Sequence, residues 1–587
     1  MHNPATPEAS PGLIREWIDC AARLHPDKPY IVSIEDGRTI TFAEFAGLLR
    51  RIGSFLDHAG IGTNDRIALL AGNSIEHIAC YVGVMAVGAT ICTVHVEMNR
   101  RHLGRILAQL KPRLALYDDD LIDDVTSGSD NIRNGAAISI QSSLRPDGAM
   151  DSAPPCGEGS GVGIEESGTF ALHLPDPPPQ PSLTRGEGAD AAAPGRPIAP
   201  PVPCLPLGRW DVPEAGTWFA AVSSCDPRGA HTAQTTARDD GVILFTSGTT
   251  DHPKGVVLSY REQIGNVVPM VDALGISAAD RIYDFRSFNW ASAQLFGVLG
   301  PLCRGATLVM RSKFSATRFF DDIRAHRVTV AAGNPTTINI LLGADHTTRA
   351  GEVPTLRFVT SSSAPLSEPE WRRFEGRFGI PVAQSYGSSE TAWIAINPGR
   401  DRRFGTVGRP LAYQRVAIVD PSGHHLSPGE TGEIEIGAWD DNEYRYLGDD
   451  GTPRANSRGR MRTGDIGYLD ADGFLHLTGR KKDLIIRGGV NISPAEIDSI
   501  LMQRAEIAEA ATVGIPDAIW GEQVVSYVVL HPGETFVPDD LLRHCAAQLP
   551  PFKAPKQIFV RETLPKSARG KLDRRALVAE WIQGEFR

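Results

Sequence analysis

Phe245-Thr246-Ser247-Gly248-Thr249-Thr250-Asp251-His252-Pro253-Lys254-Gly255 follows the short apolar run Gly241-Val242-Ile243-Leu244. The apolar run reads as a buried strand. A strand that gives way to Ser, Gly, Thr and then Lys has the ingredients of a phosphate cradle. Glycine lets backbone approach closely, main-chain N–H groups and hydroxyls donate to phosphate oxygens, and the lysine adds positive charge. The Walker pattern Gly-x-x-x-x-Gly-Lys-[Ser/Thr] is absent. Alone, such a loop reads first as a polar surface turn, so the rest of the chain has to decide.

Upstream, helical and strand patterns alternate. Thr41-Phe42-Ala43-Glu44 has the form of a capping box, and Leu48, Leu49, Ile52 and Leu56 then give one apolar face at helical spacing. Arg66–Leu70 reads as a strand, Glu76–Val87 as a helix and Thr90–Val94 as the next strand, an alternation that points to α/β layers. The apolar window Ile78–Val94 is interrupted by glycine and falls short of the roughly 20 apolar residues of a membrane span, so no integral membrane segment is expected.

The character changes over about 143–212, where about a third of the 43 prolines lie without a sustained period of strand or helix. A stretch of this composition cannot bury enough apolar surface to offset its ordering entropy, and is expected to be a disordered insertion. Pro175 and Pro178 also give the Pro-x-x-Pro spacing of a partner ligand. Order is expected to resume near Trp218, with a helix over Tyr260–Ala273 beyond the opening loop. Strands then run into polar loops three times, at Val328–Thr336, Leu356–Pro365 and Val382–Thr391. From Gly405 strands dominate, indicating a β-rich subdomain, and from Lys481 a final α+β unit of about 100 residues is expected.

At 587 residues the chain exceeds one ordinary core, and 41% hydrophobic and 22% charged residues are those of a soluble globular protein. A net charge of -11 argues against nucleic acid as a partner. The eight cysteines show no Cys-x-x-Cys spacing, and the N-terminus has no charged-then-apolar pattern. A reducing, cytoplasmic setting without a signal peptide is expected.

Six motifs stand in order: Thr246–Gly255, Tyr386-Gly387-Ser388-Ser389-Glu390, Gly405–Pro410, Arg462-Thr463-Gly464-Asp465, Gly479–Gly489 and Pro565–Lys571. Together they resemble the adenylate-forming (AMP-binding) enzyme superfamily, of the acyl- and aryl-CoA synthetase type. The resemblance covers nearly the whole chain outside the proline-rich stretch. It implies an α/β fold with a large N-terminal domain (1–480) of layered sheets, helices and a β-rich subdomain. A small mobile C-terminal α+β domain (481–587) follows. It also implies a two-step chemistry. A carboxylate attacks the α-phosphorus of ATP to give an acyl-adenylate and pyrophosphate, and the thiol of coenzyme A then displaces AMP. Two anions must meet, so positioning and charge neutralisation dominate.

The resemblance assigns roles. Thr246, Ser247, Gly248, Thr249, Thr250 and Lys254 would hold the β- and γ-phosphates, and Lys571 would reach the carboxylate and α-phosphate as the main catalytic residue. Glu390, with Thr246, would hold Mg2+. Tyr386 would stack on adenine, with Ser362, Ser363 and Ala364 on the other side and Gly387, Ser388 and Ser389 following. Asp465 would take the ribose hydroxyls, with Arg480 near ribose and phosphate. Lys482 falls at the hinge about which the C-terminal domain turns between half-reactions, and Gly488 and Gly489 would pass the pantetheine arm. The acid pocket would be built from Phe288, Asn289, Trp290, Gly333 and Gln384, a mixture that suits fatty, aromatic or branched carboxylates. Without the resemblance, Lys571 reads as an exposed lysine, Tyr386 as a core tyrosine, and Gly488-Gly489 as a hairpin turn.

The chain departs from the family at two places. Asp251 stands where glycine is usual, putting a negative charge near the triphosphate. Asn289 cannot supply the carboxylate that holds the ammonium of α-amino acids in amino-acid-activating relatives, which disfavours that substrate. Two alternatives differ in function: an adenylating enzyme that loads a separate acyl carrier protein, and a nucleotide-binding pseudoenzyme. Acceptance of the acyl group by free coenzyme A separates the first, and pyrophosphate release without any acid would mark the second.

Overall fold

The structure, a computed structural model, describes residues 10–94, 100–118, 204–227, 235–246, 254–344, 348–398, 402–438, 441–531, 533–535, 537–566 and 572–584. The chain packs into two units. One comprises Met1–Val267, Ser287–Ser312 and Arg445–Arg454, the other Val268–Arg286, Lys313–Tyr444 and Ala455–Arg587.

The first unit is organised on a sheet whose middle strands are all parallel. Asp240–Thr246, Thr90–Thr93, Arg66–Leu70, Leu114–Tyr117 and Cys204–Pro206 lie side by side in that order. Lys254–Ser259 adds antiparallel to the first of these, and Arg445 and Tyr446 pair with it in turn. Helices follow from local signals. The Thr41 hydroxyl accepts from the Glu44 N–H at 3.2 Å while Glu44 accepts from the Thr41 N–H at 2.8 Å, completing the capping box of Phe42–His58. Ile75–Val87, capped by Ser74, is buried along its whole length and ends at Gly88 before strand Thr90–Thr93. Among the described residues no helix is long and apolar enough to cross a membrane.

Two expectations are corrected here. The stretch expected to be disordered to 212 is ordered from Cys204. Cys204–Pro206 pairs with Leu114–Tyr117, Leu207 is buried, and the Trp210 N–H donates to Glu76 at 3.3 Å. The pairing supplies the backbone partners that the local composition could not reveal; residues 143–203 lie outside the described residues. The helix expected over Tyr260–Ala273 is two, Tyr260–Ile264 and Val267–Ala273. Pro269 has no N–H and its ring opposes the carbonyl four residues back, so one continuous helix cannot form. Beyond the short helix Ala291–Ala293 the backbone widens into a π turn over Gln294–Leu299.

In the second unit, Arg281–Asp284, Val330–Ala331, Phe358–Ser361 and Val382–Ser388 run parallel. Ala392–Asn397 and Arg409–Pro410 then continue the sheet antiparallel. A four-stranded antiparallel sheet follows (Arg415–Val419, Gly432–Gly437, Met461–Leu469, Leu475–Arg480), the β-rich subdomain of the sequence. A last sheet, built on the long hairpin Ile507–Asp517 and Gly521–Leu530, carries helices Pro494–Leu501, Pro538–Gln548 and Arg574–Gln583.

Candidate active site

In the second unit the sequence-predicted residues gather where the parallel strands end, the position at which open α/β sheets bind ligands. Gly333 follows Val330–Ala331, Ser362-Ser363-Ala364 follows Phe358–Ser361, and Tyr386–Glu390 closes Val382–Ser388. Gln384 lies opposite Ser361 in register, and its Nε2 donates to the Ala364 carbonyl at 3.3 Å. Ser363 holds a left-handed backbone at φ 74° although it is not glycine, the kind of local strain that functional loops carry. Glu390 sits half-buried in the turn between Val382–Ser388 and Ala392–Asn397, beside Ser389. Gly387 makes this hairpin possible, since a Cβ there would stand 2.1 Å from the Ala392 carbonyl oxygen.

Tyr386, Asp465 and Arg480 form a connected chain. The Tyr386 hydroxyl donates to Asp465 Oδ2 at 2.6 Å, and Arg480 Nε meets Asp465 Oδ1 at 2.9 Å. Asp465 and Arg480 are direct register partners on Met461–Leu469 and Leu475–Arg480. Burial, and then the neighbouring Asp465 carboxylate, push the Tyr386 phenol well above its ordinary pKa, so it stays a neutral donor. Its ring packs in a core cluster with Ile394, Val407, Ile418 and Leu475. The tyrosine therefore belongs to the core and to this hydrogen-bonded chain together.

Further along the same unit, Lys482 is lowered from its ordinary pKa by partial burial, with Arg480 and Arg575 adding repulsion. Gly488 and Gly489 form the two-residue turn between Ile485–Arg487 and Val490–Ile492, at φ 57° and 80°. Two successive positive φ values are those of a Gly-Gly hairpin turn. A Cβ on Gly488 would also stand 2.9 Å from Cε3 of Trp520. Lys571 lies outside the described residues. Its successor Leu572 bridges Lys566, whose ammonium is engaged by Glu509 at 2.7 Å. Asp573 caps the following helix, and Arg574 pairs with the partly buried Asp498.

In the first unit, Thr246 ends one strand opposite Lys254, which begins the next. Ser247, Gly248, Thr249, Thr250 and Asp251 lie outside the described residues. The Lys254 ammonium stands 5.8 Å from the centroid of the Tyr446 ring. Phe288 and Asn289 are buried. The Phe288 N–H donates to Asn73 Oδ1 at 2.9 Å, and Asn289 Nδ2 donates to the Ala71 carbonyl at 3.0 Å. Trp290 precedes the short helix Ala291–Ala293.

Among the described residues no group of three or more His, Cys, Asp or Glu side chains could hold a metal ion. A single carboxylate such as Glu390 nevertheless suits Mg2+, which keeps waters and takes most of its remaining oxygens from nucleotide phosphates. Sequence reasoning did not find His77, Asn73, Arg286 or Tyr446. His77 lies in a wholly buried helix and carried no periodic signal. Arg286 forms a buried pair with Asp284 at 2.7 Å, and its Nη1 stands 3.5 Å from the Ser362 hydroxyl.

The family model for AMP-binding enzymes matches residues 18–438, and that for the AMP-binding enzyme C-terminal domain matches 496–571. The chain belongs to the AMP-binding enzyme family. This AMP-binding enzyme is 30% identical over 567 residues to a sulfoacetate–CoA ligase of Cupriavidus necator, covering 96% of each chain. It is 29% identical over 586 residues to an indoleacetate–CoA ligase of Aromatoleum aromaticum, covering 96% of this chain and 98% of that one. Among solved structures it is similar to the anthranilate CoA ligase AuaEII in complex with anthranoyl-AMP (TM-score 0.76, 19% identity, 99% of each chain). It is also similar to ATP-bound MatB from Rhodopseudomonas palustris (TM-score 0.74, 23% identity, 96% of this chain and 99% of that one). At these identities the structures establish the fold.

Proposed function

We propose that this AMP-binding enzyme is an AMP-forming acid–CoA ligase. The observation that carries the reading is its end-to-end similarity to two relatives named as CoA ligases of quite different acids. The acid differs between them while the ligase activity does not.

In the first step a substrate carboxylate oxygen attacks the α-phosphorus of ATP and pyrophosphate leaves. In the second the thiol sulfur of coenzyme A attacks the acyl carbonyl, the bond to AMP breaks, and the thiol proton is lost. Asp465 would accept from the ribose hydroxyls with its position fixed by Tyr386 and Arg480, since a carboxylate can accept several hydrogen bonds at once. Residues 246–254 would hold the outer phosphates, and Glu390 would hold Mg2+, which supplies charge neutralisation at the phosphates when bound. Lys571 would bring positive charge to the meeting of carboxylate and α-phosphate. The pairs Lys566–Glu509 and Arg574–Asp498 anchor the segment on either side of it. Lys482 would serve as the hinge, and Gly488-Gly489 would line the path of the pantetheine arm. The eight cysteines without Cys-x-x-Cys spacing suit a reducing cytoplasm.

The test is pyrophosphate release across a panel of carboxylic acids, with and without coenzyme A, for the wild type and Lys571→Ala. The variant should lose adenylate formation by about a hundredfold or more, yet still form thioester from supplied acyl-adenylate. Equal loss of both half-reactions would remove Lys571 from the role. Acid-dependent pyrophosphate release with no transfer to free coenzyme A would turn the reading toward a carrier-protein acceptor.

A further inference from the structure

The hairpin that carries Glu390 is irregular in its second strand. Tyr386 stands opposite Ala395 and Gly387 opposite Trp393, so Ile394 is an extra residue, a β-bulge. Ala392, opposite Ser388, holds a left-handed backbone at φ 57° although it carries a Cβ. That conformation is costly for a residue other than glycine and persists only where neighbours enforce it.

The neighbours lie on one short segment. Arg409–Pro410 pairs with Ile396 and Ala395, and the chain then turns on itself, the Gln414 N–H donating to the Leu411 carbonyl at 2.8 Å. This turn reaches each irregular part of the hairpin. The Leu411 N–H donates to the carbonyl of the bulged Ile394 at 2.9 Å. The Tyr413 hydroxyl donates to the Trp393 carbonyl at 2.7 Å. Gln414 Nε2 donates to the Thr391 carbonyl at 3.1 Å and to the Trp393 carbonyl at 3.2 Å. Gln414 therefore spans the carbonyls on either side of Ala392. It is buried, and turning its amide over would set an oxygen against both carbonyls, so its orientation is fixed. Across the turn, the Ser388 and Thr391 hydroxyls are hydrogen-bonded at 2.9 Å. Glu390 thus lies between residues that are held from both sides. A hairpin that only had to close the sheet could do so with glycine at the left-handed position. Here alanine occupies it, and side chains clamp the backbone around it.

We propose that Gln414, assisted by Tyr413, is a positioning residue for Glu390: it holds Thr391–Trp393 in the left-handed, bulged form that fixes where the Glu390 carboxylate stands toward nucleotide-bound Mg2+. The inference rests on the acid–CoA ligase reading and on Glu390 as the metal ligand within it. Gln414 acts through the backbone of the turn. A carboxylate on a loosened turn has to be ordered when Mg2+ and nucleotide bind, so the loss falls on affinity rather than on the rate once both are bound.

The experiment uses the full-length protein and reads binding as well as turnover. Affinity for α,β-methylene-ATP, whose α–β bridge cannot be cleaved, is measured by calorimetry with saturating Mg2+ and with EDTA. The ratio reports what Mg2+ adds. KM for Mg2+–ATP and kcat are taken from acid-dependent pyrophosphate release, with thermal unfolding as the check on folding. The wild type is compared with Glu390→Gln, Gln414→Leu, Tyr413→Phe, and Gln414→Leu combined with Ala392→Gly. Gln414→Leu should reduce the Mg2+ gain, and raise KM, by about threefold to tenfold, with kcat close to wild type. Adding Ala392→Gly frees the left-handed conformation of its steric cost and should bring the Mg2+ gain back toward wild type. Damage to packing alone would not be rescued in this way. The proposal is overturned if Glu390→Gln reduces the Mg2+ gain while Gln414→Leu lowers only the unfolding midpoint, or if the added glycine leaves the loss as large. If Gln414→Leu does not fold, Tyr413→Phe decides, by a loss in the same direction or by none. An undiminished Mg2+ gain in Glu390→Gln would remove Glu390 from the metal, and this inference with it, while leaving the ligase reading in place. Absence of acid-dependent pyrophosphate release in the wild type would sink the ligase reading and the inference together.

Discussion

Replacing Tyr386 by Phe removes one oxygen atom and tests how Asp465 is held. The hydroxyl donates to a carboxylate at 2.6 Å in a buried setting, and hydrogen bonds to charged groups are worth about 1.5–3 kcal/mol. The ring is kept, so its packing with Ile394, Val407 and Leu475 survives. Asp465 retains Arg480 Nε at 2.9 Å on its other oxygen. It is therefore loosened but not released. If Asp465 takes the ribose hydroxyls, about half of the lost energy should appear in nucleotide binding. That corresponds to a rise of about threefold to tenfold in KM for ATP, since 1.4 kcal/mol is a factor of ten. The kcat for adenylate formation at saturating ATP should change little. The assay is pyrophosphate release at saturating acid with ATP titrated, alongside thermal unfolding. A lowered unfolding midpoint with an unchanged KM for ATP would refute the reasoning. The Tyr386–Asp465 bond would then be part of the core alone.

Deleting residues 143–203 should leave unfolding and acid activation unchanged, because the remaining residues 119–142 exceed the dozen or so that a crossover between parallel strands needs. Extending the deletion to 212 removes the strand Cys204–Pro206 and the Trp210 N–H that Glu76 accepts, and should lower the unfolding midpoint measured by circular dichroism. His77 should make the protein acid-sensitive. Its pKa is about 4 in the folded chain against an ordinary 6.5, so between those values the unfolded chain binds more protons and acidification favours unfolding. The contribution is fully present above pH 6.5 and is lost progressively down to about pH 4, by roughly 3 kcal/mol. Urea midpoints against pH should show that slope in the wild type and lose it in His77→Phe; equal slopes would count against the burial argument.

What the sequence could convey depended on how far apart the interacting residues lie. The capping box of Thr41 and Glu44 is an interaction across three residues, and it formed as expected. Strands such as Arg66–Leu70 were visible as apolar runs. The strand Cys204–Pro206 was hidden because its only warrant is a partner near Leu116, across the proline-rich stretch. Tyr386, Asp465 and Arg480 stand in separate motifs, and the bonds that join them depend on how two sheets pack. The turn chemistry of Gly488-Gly489 was legible as a pair of glycines. That Trp520 packs against Gly488 was not. His77 was invisible for another reason. Every residue of its helix is buried, so no exposed face existed against which a polar member would stand out.

The pairing of Leu114–Tyr117 with Cys204–Pro206 also has a consequence for how the chain is made. As the polypeptide is synthesised, Leu114–Tyr117 emerges long before its outer neighbour, and until then it presents an unsatisfied sheet edge that another chain could pair with. The residues that come between are rich in proline by sequence, a residue that disfavours pairing as a strand within a sheet. When Cys204–Pro206 arrives it becomes the outermost strand of the sheet among the described residues, and it ends in Pro206, which sits opposite Tyr117. With no N–H to offer, Pro206 discourages a further strand from adding there. The late strand thus closes the growing sheet and guards it against association with other chains.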